Sequence, residues 1–106
     1  MLLLIIAAAA AAPNPATIDQ PRKNFVACIK QFEAKSRSEK IVPDGYSDAL
    51  KAACTAESQK LTNALIAYDV AMGTKRTTAA NNAAMDVDDY WLTSEERYKD
   101  AYKPPQ

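Results

Sequence analysis

The feature that most constrains this chain is its single pair of cysteines, Cys28 and Cys54. They flank a turn-forming stretch, VPDGY at residues 42–46. The cysteines are not expected to form a zinc site, because two cysteines without any histidine cannot supply four nitrogen or sulfur ligands. A thioredoxin-like redox pair would need the spacing Cys-x-x-Cys. The spacing therefore favours a structural disulfide.

The first twelve residues, MLLLIIAAAAAA, indicate a signal peptide. They pass from an apolar core into six alanines before Pro13, which is the order of a hydrophobic region followed by a small-residue cleavage zone. A membrane span needs about 20 apolar residues, and the eleven found here are too few. We expect cleavage after Ala12, no stable membrane span afterwards, and a periplasmic or secreted protein. That oxidising environment favours a disulfide in a small domain.

The rest of the chain predicts an all-α domain at residues 20–102. The chain has only 2 glycines, and valine and isoleucine are sparse, a composition that favours helix over sheet. Apolar periodicity predicts a three-helix antiparallel bundle, with helices at about 20–38, 45–72 and 75–102 and one disulfide. Residues 13–19 are expected to form a flexible N-terminal segment, and residues 103–106 a frayed tail.

The predicted helices bring the two cysteines level with each other. One face of the first predicted helix carries Phe25, Cys28, Ile29 and Phe32, whose spacing is helical. Cys54 lies on the apolar stripe of the second predicted helix. Each cysteine is about ten residues from the turn, hence about 15 Å along its helix. Spacing, helix face and compartment thus agree on a Cys28–Cys54 disulfide.

The sequence gives little support to an enzyme or a bound cofactor. There is no histidine to serve as a general base near neutral pH, and two glycines cannot form a phosphate-binding loop. The acidic string DVDDYW at 86–91 resembles the start of a calcium loop, but its sixth position is Trp91 rather than glycine. We therefore predict no enzyme activity, no cofactor and no metal. An enzyme or metal carrier that uses this acidic cluster is the alternative.

The charges are balanced overall but unevenly placed. There are 13 basic and 13 acidic residues, so net charge gives no case for nucleic-acid binding. Residues 22–40 carry six basic residues against two acidic ones, and residues 86–100 carry the reverse. In an antiparallel bundle these segments occupy the same end. We expect them to face or flank each other.

Three segments carry a resemblance to known proteins: FVACIKQF at 25–32, ALKAACTAE at 49–57 and YDVAMGTKR at 68–76. With them, the chain resembles small two-cysteine exported helical proteins of bacteria, which have no assigned function. A weaker likeness is to periplasmic acid-stress chaperones of the HdeA type, through size, one disulfide and ACTAE around Cys54. The first resemblance implies no activity or functional residues.

Unequal helix lengths predict an interaction surface. With Cys28 beside Cys54, the first helix would reach only to about Lys60, so part of the second helix lies beyond its cover. The third helix offers mainly alanines there, an arrangement that leaves apolar surface for an interface. Alternatively, the N-terminal segment folds back and Ile18 covers the gap. The candidate interface residues are Leu61, Leu65, Tyr68, Met72 and Met85.

Beside the alternative of an enzyme or metal carrier, the sequence is compatible with two non-catalytic functions. The first is a non-catalytic interaction or structural module that binds an unknown protein partner or itself. The second is a periplasmic acid- or stress-responsive holdase, which would suppress aggregation of unfolded proteins below about pH 4, where carboxylates become protonated.

Overall fold

A computed structural model describes residues 13–104, which form four α-helices and no strand. A disulfide joins Cys28 to Cys54, with a Cα–Cα distance of 5.9 Å. The predictions of an all-α fold and of this disulfide are confirmed. The predicted signal peptide, 1–12, and the last two residues of the predicted tail lie outside the described residues. The helices are α1 (Ala16–Ser38), α2 (Pro43–Ala53), α3 (Thr55–Ala71) and α4 (Arg76–Ala101).

The prediction of three helices is wrong, because the second one is interrupted at Cys54. This residue has φ −112° and ψ 21°, outside the helical range, and separates α2 from α3. The next residue contributes to the bend, since the Thr55 hydroxyl donates a hydrogen bond to the Lys51 carbonyl oxygen (2.6 Å), an interaction that often bends helices. The apolar stripe runs through this point without glycine or proline, so its periodicity gave no sign of the break.

The first helix begins at Ala16, four residues before the predicted start. Asn14 stabilises this early start: its side-chain oxygen accepts the Ala16 N–H (3.0 Å), and its carbonyl oxygen accepts the Thr17 hydroxyl (2.8 Å). The first of these bonds satisfies a backbone N–H that a helix N-terminus otherwise leaves unpaired. Residues 16–19, expected in a flexible segment, are therefore part of α1. Ile18 packs against the core from this added turn.

Two helices end in the same left-handed turn. Gly73 follows α3 with φ 100°, and the Thr74 N–H donates to the Asp69 carbonyl oxygen (2.9 Å). Lys40 forms the corresponding left-handed turn after α1, with φ 54°. Both are Schellman-type ends, in which a residue with positive φ returns the chain and satisfies the last carbonyls. They set the α1–α2 and α3–α4 connections.

The helices pack around one core, with α3 against both α1 and α4, and α2 mainly against α4. Trp91 is 6% exposed and packs edge-to-face on Phe25, with ring centroids 4.7 Å apart. Cys54 is fully buried in the same cluster, so the disulfide joins two helices at their shared core. The buried core cluster consists of Phe25, Ile29, Tyr46, Leu50, Cys54, Leu61, Val87, Trp91 and Tyr98.

None of the helices in residues 13–104 combines the length and hydrophobicity that crossing a bilayer requires.

We expect reduction of the disulfide to lower the free energy of unfolding by about 3–4 kcal/mol, because the bond closes a loop across 26 positions in the unfolded chain. Urea unfolding followed by Trp91 emission measures this loss. The double variant Cys28→Ala/Cys54→Ala is the control and should match the reduced protein. Two alkylatable thiols in the unreduced, denatured protein would show that the bond is absent.

Candidate interaction surface

The reach of α1 along α3 decides which residues stay uncovered. Ala16 lies twelve residues before Cys28 on α1, and the helices run antiparallel from the disulfide. At equal rise per residue, the start of α1 is level with about residue 66. The two-helix end of the hairpin, from about residue 67 through the turn to residue 82, extends past α1.

The structure separates the five predicted interface residues into two groups. Leu61 is fully buried in the core, and Leu65 is half-buried and packs against that core. The longer α1 brings Ile18 to the same core, but as part of an added helical turn and not through the folding back that the alternative expected. Tyr68 is half-buried, whereas Met72 and Met85 are 60% and 67% exposed.

The two exposed methionines lie on different parts of the hairpin. Met72 follows the end of α3 at the turn, while Met85 lies well inside α4, about 16 Å along the helix from the turn. Met85 shares its side of α4 with Leu92, seven residues later, which is 54% exposed. The surface is therefore a tip at Met72 and a stripe on α4.

Small residues hold the two helices of the hairpin together. Ala79 is fully buried and Ala83 is 2% exposed, and α4 packs closely on α3. Alanines at these positions let the helix backbones approach each other. Met85, two residues after Ala83, lies on the outer side of α4 and remains available to a partner.

A groove that the sequence did not reveal runs between α1 and α4. It has a volume of about 290 Å³, and Ile29 and Tyr90 supply apolar surface to it. Lys30 on α1 and Asp89 on α4 contribute charges to its lining. No sequence signal pointed to this groove, because it depends on the separation of two helices that are far apart in the chain.

Ion pairs link α1 to α4 on either side of this groove. Arg22 donates to Asp86 (3.1 Å) and to the Tyr90 hydroxyl (2.6 Å), and Arg97 pairs with Glu33. The predicted contact between residues 22–40 and 86–100 is therefore confirmed. The second pair runs opposite to the overall trend, with the acid on α1 and the base on α4.

A buried hydrogen-bond network extends the second ion pair into the core. Glu33 is 7% exposed, and its carboxylate accepts bonds from Arg97 Nε (3.0 Å) and from the Ser94 hydroxyl (2.7 Å). Because Ser94 gives its one proton to Glu33, its oxygen accepts the Tyr46 hydroxyl at 2.7 Å. The network thereby joins α1, α2 and α4.

Stacked tyrosines complete the contact between α2 and α4. The rings of Tyr46 and Tyr98 lie parallel with centroids 4.0 Å apart, and each side chain is 1% exposed. Burial raises the pKa of both hydroxyls above the ordinary value of 10.0. The Tyr98 hydroxyl also lies within hydrogen-bond distance of the Ser36 carbonyl oxygen (3.0 Å), which fixes the end of α1.

The surroundings of the disulfide hold one half-buried carboxylate. A Glu57 oxygen and the two cysteine sulfurs lie within 4.8 Å of one another. Metal binding by cysteine requires thiolates, and both sulfurs are engaged in the disulfide. The group is therefore not a metal site while the bond is intact. One Glu57 oxygen, Oε2, is buried without a hydrogen-bond partner in residues 13–104.

Comparisons with known proteins supply no relative for this chain. It matches no known protein family, no curated protein and no solved structure. The resemblances described from the sequence therefore stay predictions.

We predict that stability falls as pH rises above about 10. The folded state keeps Tyr46 and Tyr98 protonated, whereas tyrosines of the unfolded chain ionise near pH 10. Their contribution to the free energy of unfolding is therefore complete below that pH and is lost as pH rises through the raised folded-state pKa values. The loss is up to about 1.4 kcal/mol per pH unit for each tyrosine. Urea unfolding at pH 8, 10 and 11 measures the slope. The variant Tyr46→Phe/Tyr98→Phe should show a shallower one, and an equal slope would contradict the assignment.

Proposed function

We propose that this chain is an exported, non-catalytic helical protein that acts as an interaction module through its α3–α4 hairpin. The observation that carries the proposal is the exposure of Met72 (60%) at the hairpin end beyond α1 and of Met85 (67%) on the outer side of α4. A contiguous exposed apolar patch that is rimmed by polar residues is typical of interaction sites.

The rest of the fold supports this role by holding the hairpin in one shape. The disulfide ties α1 to the break between α2 and α3, and the Glu33 network ties α1 and α2 to α4. A surface that is already ordered loses less conformational entropy when a partner binds. Export, which the apolar stretch at 2–12 favours, would place this surface outside the cytoplasm.

An acid-activated holdase is the second candidate, and the charge of α4 favours it. Five carboxylates and no basic residue lie between residues 84 and 96, around the exposed Met85 and Leu92. As the pH falls towards 4, side-chain carboxylates begin to take up protons. The same face then becomes less charged and more apolar. Suppression of aggregation of an unfolded protein at pH 3 but not at pH 7 would favour this candidate.

Photo-crosslinking in cells would test the proposed function. A photoreactive amino acid replaces Met72 or Met85 in the full chain, and we expect discrete adducts of defined mass at one or both positions. The matched control carries the same amino acid at Val42, which is 57% exposed but lies in the α1–α2 connection, and should give none of these adducts.

A second arm compares Met72→Asp/Met85→Asp with the wild type. Both positions are exposed, so the variant should keep its helical circular dichroism while it loses the adducts formed by a crosslinker at Leu92. Leu65 is unsuitable for this purpose because it packs against the core. Adducts at the control position Val42 identical to those at Met72 and Met85, or no adducts at any crosslinker position, would contradict the proposed function.

A further inference from the structure

The outer face of α4 combines exposed apolar side chains with negative charge. Met85 is 67% exposed and Leu92 is 54% exposed. Their spacing of seven residues puts them on one side of the helix, about 10 Å apart along its axis. Asp88 and Asp89 lie between them in sequence, Glu96 follows Leu92 by one turn, and all three are exposed. These five residues define the outer face of α4.

The carboxylates of this face have no ion-pair partner in the part of the chain that the structure describes, although Lys30 lines the same groove as Asp89. The two remaining acids of the stretch are occupied, since Asp86 pairs with Arg22 and Glu95 accepts a hydrogen bond from the Ser47 hydroxyl. The three carboxylates of the outer face form no ion pair with any residue between 13 and 104. The next basic residues along α4 after this stretch are Arg97, which binds Glu33, and Lys99.

This combination selects the chemistry of a partner. An uncharged apolar partner would remove the carboxylates from water without giving them hydrogen bonds, which is costly. An acidic partner would be repelled. A basic partner can bury Met85 and Leu92 and pair with the carboxylates in the same contact. Two apolar anchors two turns apart also match an amphipathic helix, which presents apolar residues at the same interval.

We propose that the outer face of α4 binds a basic amphipathic helix of a partner protein. Apolar side chains of that helix pack on Met85 and Leu92, and its lysines or arginines pair with Asp88, Asp89 and Glu96. This inference rests on the proposed function and deepens it by naming the chemistry of the partner.

A second copy of this chain fits the face less well than such a partner. Its basic helix is α1, whose exposed lysines include Lys23 and Lys30. The large apolar side chains of α1 are buried or half-buried, and the large apolar residues that are exposed lie elsewhere, at Val42, Met72, Met85 and Leu92. The second copy therefore offers charge without the two apolar anchors.

The test uses the full, oxidised chain and two synthetic helical peptides of fifteen residues. Both carry leucine at every third or fourth position, and the remaining positions are lysine in one peptide and glutamate in the other. Isothermal titration calorimetry should show saturable one-to-one binding of the lysine peptide only. In an NMR titration with the lysine peptide, the changes in backbone amide chemical shift should be largest between residues 84 and 96.

Variants separate the two components of the face. Leu92→Ser removes an apolar anchor, and Asp88→Asn/Asp89→Asn removes two charges at constant shape. Each should weaken binding about tenfold or more, the loss typical of a central contact residue. Matched controls are Val42→Ser, at an exposed apolar residue, and Asp44→Asn/Asp48→Asn, at two exposed acids of α2. These should change the affinity less than about twofold.

Three results would overturn the inference. Equal weakening by the face variants and the controls would show general charge attraction. Absence of saturable binding would show that the face takes no such helix. A dimer in light scattering that Leu92→Ser converts to a monomer would assign the face to a second copy. If Met72 and Met85 crosslink in cells but the lysine peptide does not bind, the partner chemistry is wrong and the interaction role stands. If no position crosslinks, the role itself fails.

Discussion

The Cys28–Cys54 disulfide is the constraint on which the rest of the structure depends. It fixes where α1 lies along α3, with the two Cα atoms 5.9 Å apart. Since α1 begins at Ala16, that fixed register determines which residues of α3 lie beside α1 and which extend past it. The open end of the hairpin therefore follows from one covalent bond and one helix length.

Polar contacts then attach the fourth helix to this frame. Glu33 receives hydrogen bonds from Ser94 and Arg97, and Arg22 reaches Asp86 and Tyr90. A buried carboxylate that lost these partners would be costly to keep, so the network favours one orientation of α4. That orientation turns Met85 and Leu92 outward, which links the core chemistry to the proposed interaction surface.

Sequence patterns predicted the helical class and the disulfide because apolar periodicity and cysteine spacing are local signals. They missed the break at Cys54, since the apolar stripe continues across it and neither glycine nor proline marks it. They placed Leu61 in the interface because the capping by Asn14, which lengthens α1, was not foreseen. The groove beside Tyr90 and the outer face of α4 depend on how distant helices pack, which no single segment encodes.

The central claim is that the disulfide holds α1 in a register that leaves the hairpin end open. Amide hydrogen exchange of the oxidised and reduced protein, followed by mass spectrometry, tests it most directly, because exchange reports local opening. We predict that reduction raises exchange in residues 16–30 of α1, while residues 67–82 exchange at the same rate in both forms. Unchanged exchange in α1, or increased exchange at 67–82 alone, would contradict the account.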